Sequence, residues 1–272
     1  MKRKLVLLFL FLSVFLVAKE DVFSIKAPFK KATIYLESKG SSTKGKETIF
    51  IKNQGEYMAT YTEMETKVFG VSNKEKTIEI ITPEWIYNFD LNKNTGSKSH
   101  NPKVYMKEEY EKLSSSDKKK FEKNIKDISF NMMKAFNGNL IENAIKIFGY
   151  DCDKIEMMGS EIYYIHNTNI TLKSKTNIMG MKTEMSAVRF DKENVDESKF
   201  ELPKGIIPEY NEQADQMAKQ MAINFVHSVV EGKEENNSQD QKDAEDLEKE
   251  SEKRQKEEDK SVEKVLKGLF GN

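Results

Sequence analysis

The sequence has a single cysteine, Cys152, so the chain cannot close a disulfide within itself, and its stability has to come from an ordinary packed core. In "GYDCDKI" that thiol reads as a small buried hydrophobe, with a reactive thiol as the alternative. Net charge is nearly absent as well. The 44 Lys and Arg residues against 45 Asp and Glu leave −1, and no global field draws the chain to nucleic acid or an anionic membrane. Zinc-finger, helix-turn-helix and RNA-binding signatures are missing, which sets nucleic acid aside. Histidine is scarce too. His100, His166 and His227 lie far apart, and none has a second metal ligand at useful spacing. The pair of aspartates in "DCD", residues 151–153, offers at most a weak metal contact. Ser160 follows Gly159 but lacks the second glycine of a nucleophile elbow, and there is no phosphate-binding glycine loop. The expectation is therefore no enzyme, no metal and no cofactor.

Long apolar runs are confined to the N-terminus. "MKRKLVLLFLFLSVFLVAKE" has a basic start at Lys2, Arg3 and Lys4, then an uncharged stretch from Leu5 to Ala18. That is the length of a signal-peptide core and short of the roughly 20 residues that span a bilayer. Residues 1–18 are read as a signal peptide with Ala18 at the cleavage point, which implies export to the periplasm. The alternative is an uncleaved anchor. No cysteine follows the run, so N-terminal lipid attachment is excluded.

What the chain does have is short strand patterns. "KATIYLES" alternates Ala32, Ile34 and Leu36 against Thr33, Tyr35 and Glu37, the period of a half-buried strand. "ETIFIKN", "EYMATYTEM", "TKVFGV", "EKTIEII" and "EWIYNFDL" continue the series, followed by a loop, "NKNTGSKSHNP". Such close spacing indicates an antiparallel sheet rather than βαβ units. In "PEWIYNFD", Trp85, Tyr87 and Phe89 fall on one face as an aromatic stripe. A helix is expected from the serines ahead of Asp117, with Phe121, Ile125, Ile128, Met132 and Phe136 at helical spacing, and a second helical run at "NLIENAIKIFG". Strands resume with "CDKIEMM", "SEIYYIHN", "NITLKSKTNIMGM" and "KTEMSAVRFDK". A final helix carries Ala214, Met217, Ala218, Met221, Ala222, Phe225, Val226 and Val229 on one face.

Two segments share a pattern, Thr66-x-Val68-Phe69-Gly70-Val71 and Thr176-x-Ile178-Met179-Gly180-Met181. Glycine inside a strand pattern marks a bulge, a bend or a close approach to the backbone. The flanking Phe69, Val71, Met179 and Met181 are read either as sheet core or as a surface facing a ligand. After Gly232 the composition turns to a charged, acidic stretch, residues 232–260, which cannot form a core. The last residues, 261–272, recover amphipathic spacing through Val262, Val265, Leu266, Leu269 and Phe270. They read as a short helix that docks on a partner protein or a membrane surface, or as an ordinary terminus with chance periodicity.

With these elements in order, "TETKVFGVSNKEKTIEIITPEWIYNFDLNKNTGSK", "GYDCDKIE", "NITLKSKTNIMGMKTEMSAVRF" and "FELPKGI" together resemble the outer-membrane lipoprotein-carrier superfamily, chiefly its uncharacterised periplasmic members. The resemblance covers residues 23–208 and leaves out the C-terminal helix, 209–231, and the tail. It implies an α+β fold: an incomplete, strongly curved antiparallel β-barrel with helices covering its concave face. It also implies non-enzymatic binding of an apolar ligand, a lipid acyl chain or a lipidated or hydrophobic peptide. The lining expected is Phe69, Val71, Trp85, Tyr87, Phe89, Met179 and Met181, with Phe121, Ile125, Met132 and Met133 on a covering helix. The competing expectation is an envelope scaffold that docks through Val262 to Phe270.

Overall fold

The computed structural model describes Phe23 and residues 26–68, 71–125, 139–157, 159–178 and 181–232. The segment read as a signal peptide, the charged stretch after Gly232 and the terminal segment 261–272 lie outside the described residues, as do Phe69, Ile128, Met132, Met133, Phe136 and Met179.

Eleven antiparallel strands and one short parallel strand make one sheet. They are β1 (Ala32–Gly40), β2 (Thr43–Lys52), β3 (Tyr57–Val68), β4 (Val71–Ile81), β5 (Trp85–Asp90), β6 (Thr95–His100), β7 (Asn139–Ile147), β8 (Tyr150–Met157), β9 (Ser160–Ile165), β10 (Thr171–Ile178), β11 (Met181–Asp191) and β12 (Glu209–Tyr210). Three helices are described: α1 (Pro102–Lys112) and α2 (Ser115–Asn124), inserted between β6 and β7, and α3 (Glu212–Glu231) after β12. The strand order is β12-β6-β5-β4-β3-β2-β1-β11-β10-β9-β8-β7. Two meanders are thus zipped together where β1 pairs with β11, from Thr33 opposite Asp191 to Gly40 opposite Thr183. The outer strands β12 and β7 do not meet, so the sheet stays open. The class is α+β with a curved sheet.

Its curl can be read from three rings. Phe190 of β11 and Tyr150 of β8 sit three strand steps apart, about 14 Å in a flat sheet. Their centroids are only 5.2 Å apart, and Phe29 packs edge-on against both at 5.3 and 5.7 Å. The sheet therefore bends toward the face that carries Phe190 and its cross-strand partner Ile34, here the inner face. Ala32, Ile34, Leu36, Ile49, Ile51, Leu172 and Ile165 form the inner core, closed at its base by Ala27 and Phe29. Cys152 is buried among them, and burial pushes its thiol up in pKa, which settles its reading as a core residue.

The opposite, outer face carries a second core of Phe50, Ala59, Ile78, Ile80 and Phe89. It is covered by the segment running from β11 to β12. Asn194 accepts from Thr33 Oγ1 at 2.8 Å, Lys199 accepts from the Tyr61 hydroxyl at 3.0 Å, and Glu197 pairs with Lys52 at 2.9 Å. Ile206 then closes on Phe89 over Gly96, where a Cβ would stand 2.6 Å from the Phe89 ring and 3.2 Å from Ile206. Beyond this strap the outer face is solvated and laced with cross-strand ion pairs such as Lys76–Glu63 and Lys173–Glu184.

The helices form a third core of Tyr110, Phe121, Val226 and Val229. Each starts on a side-chain cap: Asn101 for α1, Ser114 for α2 and Asn211 for α3. α1 and α2 pack on α3, and α3 reaches β6.

Four expectations are corrected. "NLIENAIKI" is strand β7, not a helix. Ile141 pairs with Lys154 and Ile145 with Cys152, so three residues of β7, 142–144, face the single Asp153 of β8 across a bulge at Asn143, which has φ of 50°. That bulge stretches the apolar repeat from two to four and imitates a helix. "TGSKSH" is strand β6 rather than loop, held between β5 and β12 despite its small polar residues. α1 was not anticipated; its surface is polar, and Pro102 occupies its first turn. The two glycine-centred segments are not continuous strands. Val68 pairs with Val71 and Ile178 with Met181, leaving two-residue connections at 69–70 and 179–180.

Candidate ligand-binding surface

Directly opposed residues in a sheet share a face, and one row can be followed across nine strands. It runs Leu140, Ile155, Ile162, Ser174, Met185, Ser38, Gly45, Met64 and Glu75, from β7 to β4. Ser38 follows Leu36 by two in β1, so from β10 to β3 the row lies on the inner face just beyond the apolar core. In β8 and β9, which pair without a bulge, Ile155 and Ile162 stand three residues from Cys152 and Ile165, and the register shift between Thr171 and Lys173 of β10 brings them into the row. Leu140, Ile155, Ile162, Met185 and Met64 are half-buried. Small residues, Ser174, Ser38 and Gly45, alternate with or adjoin them and keep the floor low. A Cβ on Gly45 would meet the Met64 sulfur at 2.2 Å, so the thioether lies across the glycine. The result is a strip of flexible and branched apolar side chains, partly wetted, over a floor with little bulk.

The wall beside it, on β2 to β5, adds polar groups to the inner face. Leu36, Glu47, Thr62, Thr77 and Asp90 form one row, and Ile49, Thr60, Glu79 and Asn88 the next. Burial raises the Glu47 carboxyl above its ordinary pKa; the Thr62 hydroxyl, 3.3 Å away, opposes this, and the charge of Glu79 adds to it. Burial raises Glu79 as well. The row is thus apolar over most of β7 to β1, whereas β2 to β5 mix Ile49, Ile51, Met58 and Met64 with hydroxyls and carboxyls.

The residues expected to line a cavity are spread over several places. Tyr87 and Phe89 are on the outer face, their rings stacked at 6.5 Å under the strap. Trp85 stacks on His100 at 4.1 Å, with Lys98 over its ring. Phe121 is fully buried among the helices, and Ile125 packs against the same cluster. Val71, 70% exposed, opens β4, and Met181 opens β11 opposite Ile178. The described residues of that set do not converge. The residues that do line up, Met64, Ile155, Ile162 and Met185, went unnoticed. Their common signal was a half-apolar strand pattern, and only the strand order makes them neighbours.

Two histidines are held by buried aspartates. Asp215 of α3 accepts from the His100 backbone N–H at 2.8 Å, faces His100 Nδ1 at 2.9 Å, and takes the hydroxyls of Tyr105 and Tyr210. Those hydrogen bonds hold its carboxyl well below the usual carboxylate range against the opposing effect of burial, while burial, together with the bond to Asp215, pushes Tyr105 up. Asp153 of β8 faces His166 Nδ1 at 2.8 Å and accepts from the Asn143 N–H at 2.9 Å. Both carboxylates are spent on holding strands and helices. Among the described residues no group of three or more His, Cys, Asp or Glu side chains is placed to hold a metal ion, and no helix is long and apolar enough to cross a membrane.

No protein-family model matches the sequence, and no curated protein matches it. Similar solved structures include an uncharacterized conserved protein from Thermus thermophilus, at 12% identity and a TM-score of 0.36, covering 66% of this chain and 90% of that one. Another is the beta-barrel-like protein of domain of unknown function DUF1849 from Brucella abortus, at 8% identity and a TM-score of 0.35, covering 63% of this chain and all of that one. MucB is similar at 7% identity and a TM-score of 0.31, covering 68% of this chain and 61% of that one.

Proposed function

We propose that the chain is an exported, non-enzymatic binding protein that shelters an apolar ligand against the inner face of its curved sheet. One observation carries the reading: the half-buried row Leu140–Ile155–Ile162–Ser174–Met185, continued through Ser38 to Met64. A sheet that needed only a core would cover such a row or make it polar. Here it is partly wetted, beside a core that is already complete. Met185 and Met64, on either side of Ser38 and Gly45, suit chains of variable shape. A lipid acyl chain or a lipidated or hydrophobic peptide fits a strip of this kind, with the Glu47 and Glu79 side of the wall left to polar groups. The basic start and short apolar run at residues 2–18 support export.

The test uses full-length protein and a hydrophobic fluorescent probe. Wild type should enhance the probe's emission, and Ile162→Glu, at a half-buried site, should weaken binding about tenfold, the cost of leaving about one apolar side chain's worth of contact to a charge. Ser174→Trp should fill the floor and do the same without adding charge. Enhancement that is unchanged in both variants, with folding intact, places the probe elsewhere and overturns the reading.

A further inference from the structure

Helix α3 has two apolar faces, and among the described residues only one is covered. Ala218, Ala222, Val226 and Val229 are buried against α1, α2 and Phe23. A second stripe, Ala214, Met217, Met221 and Phe225, recurs at helical spacing along the flank. Met217 is 59% exposed and Met221 65%, while Ala214 and Phe225 are half-buried. The residues around the stripe are exposed amides: Gln213, Gln216, Gln220 and Asn224. In a chain that is 33% charged, Lys219 is the only exposed charge on α3 between Gln213 and Val230, and its ammonium lies over the Tyr105 ring on the other flank. Depletion of charge together with methionine is the composition of an interface centre, not of a solvated helix face.

We propose that this stripe is the seat of the chain's own C-terminal segment, residues 261–272, whose Val262, Val265, Leu266, Leu269 and Phe270 recur at helical spacing. The reach fits. α3 ends at Gly232, and Met221 lies about 17 Å back along its axis at 1.5 Å per residue. The intervening stretch, residues 233–260, has a root-mean-square span of roughly 30 Å if it behaves as a flexible chain. A tether whose span is comparable to the distance holds its end at about millimolar effective concentration, enough to seat a contact too weak to form between separate molecules. The stretch is rich in acidic residues and has Leu247 as its single large apolar side chain, so it does not compete for the stripe. Docking in cis and capture of an outside partner use the same five apolar residues and exclude each other. The terminal segment is therefore withheld while it is seated.

Cysteine pairing tests this directly, since Cys152 is buried and leaves the background silent. In full-length protein, Met221→Cys with Leu266→Cys should form an intramolecular disulfide under mild oxidation, with a yield unchanged by tenfold dilution. Lys46→Cys with Leu266→Cys, whose first site is exposed on the outer sheet face, should link about tenfold less. Equal yields at both sites mean a roaming tail and overturn the proposal. So do disulfide-linked dimers that disappear on dilution, which assign the stripe to a second copy. Preferential linkage of Met221→Cys to Met132→Cys assigns it to residues 126–138 and overturns it too. Independently, Met217→Glu with Met221→Glu should leave the unfolding temperature of the body in place and speed proteolysis of residues 261–272 severalfold; an unchanged cleavage rate contradicts the proposal.

Discussion

The two edges of the sheet use the same chemical pair for different ends. At the β6 edge, Asp215 gathers His100, Tyr105 and Tyr210 and so fastens α3 and α1 to the strands. At the β7 edge, Asp153 takes His166 and the Asn143 N–H and so fixes a bulge in the outermost strand. One edge is closed by helices. The other is left uncovered among the described residues but is kinked, with Ile141 and Ile145 exposed on either side of Asn143. A bulge in an edge strand spoils the regular template onto which another strand could add. A buried carboxylate thus anchors a lid at one end of the sheet and protects a bare edge at the other.

That contrast can be broken from either side. The largest effect is expected at Asp215→Ala, which strips two hydroxyls and a backbone N–H of their acceptor at the junction of three elements. A loss of about 3 kcal/mol, near 10 °C in unfolding temperature, is expected. Acid sharpens the point. Because the folded Asp215 sits below its ordinary range, its contribution is present above the unfolded carboxyl's pKa of about 3.9 and is lost as pH falls toward the folded value. Wild type should lose stability below about pH 4 more steeply than Asp215→Asn does, by urea midpoints across pH. Next comes Asp153→Ala, at about 2 kcal/mol for the stranded Asn143 N–H and His166. Its distinctive result is a rise in self-association as the edge straightens, measured by sedimentation. Tyr210→Phe should be smallest, about 1 kcal/mol, since Tyr105 and His100 still hold Asp215.

Much of the fold was legible because β1 to β5 and β8 to β11 alternate cleanly, and because Ser114 and Asp117 mark the start of α2. β7 was misread because two extra residues at Asn143 turn a strand repeat into a helical one. β6 was missed because Thr95 to His100 owes its pairing to neighbours rather than to its own side chains. The aromatic stripe was read correctly as one-faced, but which face is inner depends on where the strap from β11 crosses, and no local pattern encodes that. The same holds for the binding strip. Met64 and Ile162 lie about a hundred residues apart and share a row only because β1 pairs with β11.

The most direct measurement is methyl NMR of isoleucine- and methionine-labelled protein, titrated with a monomeric fatty acid or single-chain detergent. The account predicts saturable shifts at Ile155, Ile162, Met64 and Met185, with Ile78, Ile80 and Ile206 of the outer core unmoved. Saturable shifts confined to the outer core, or none at all, would contradict it.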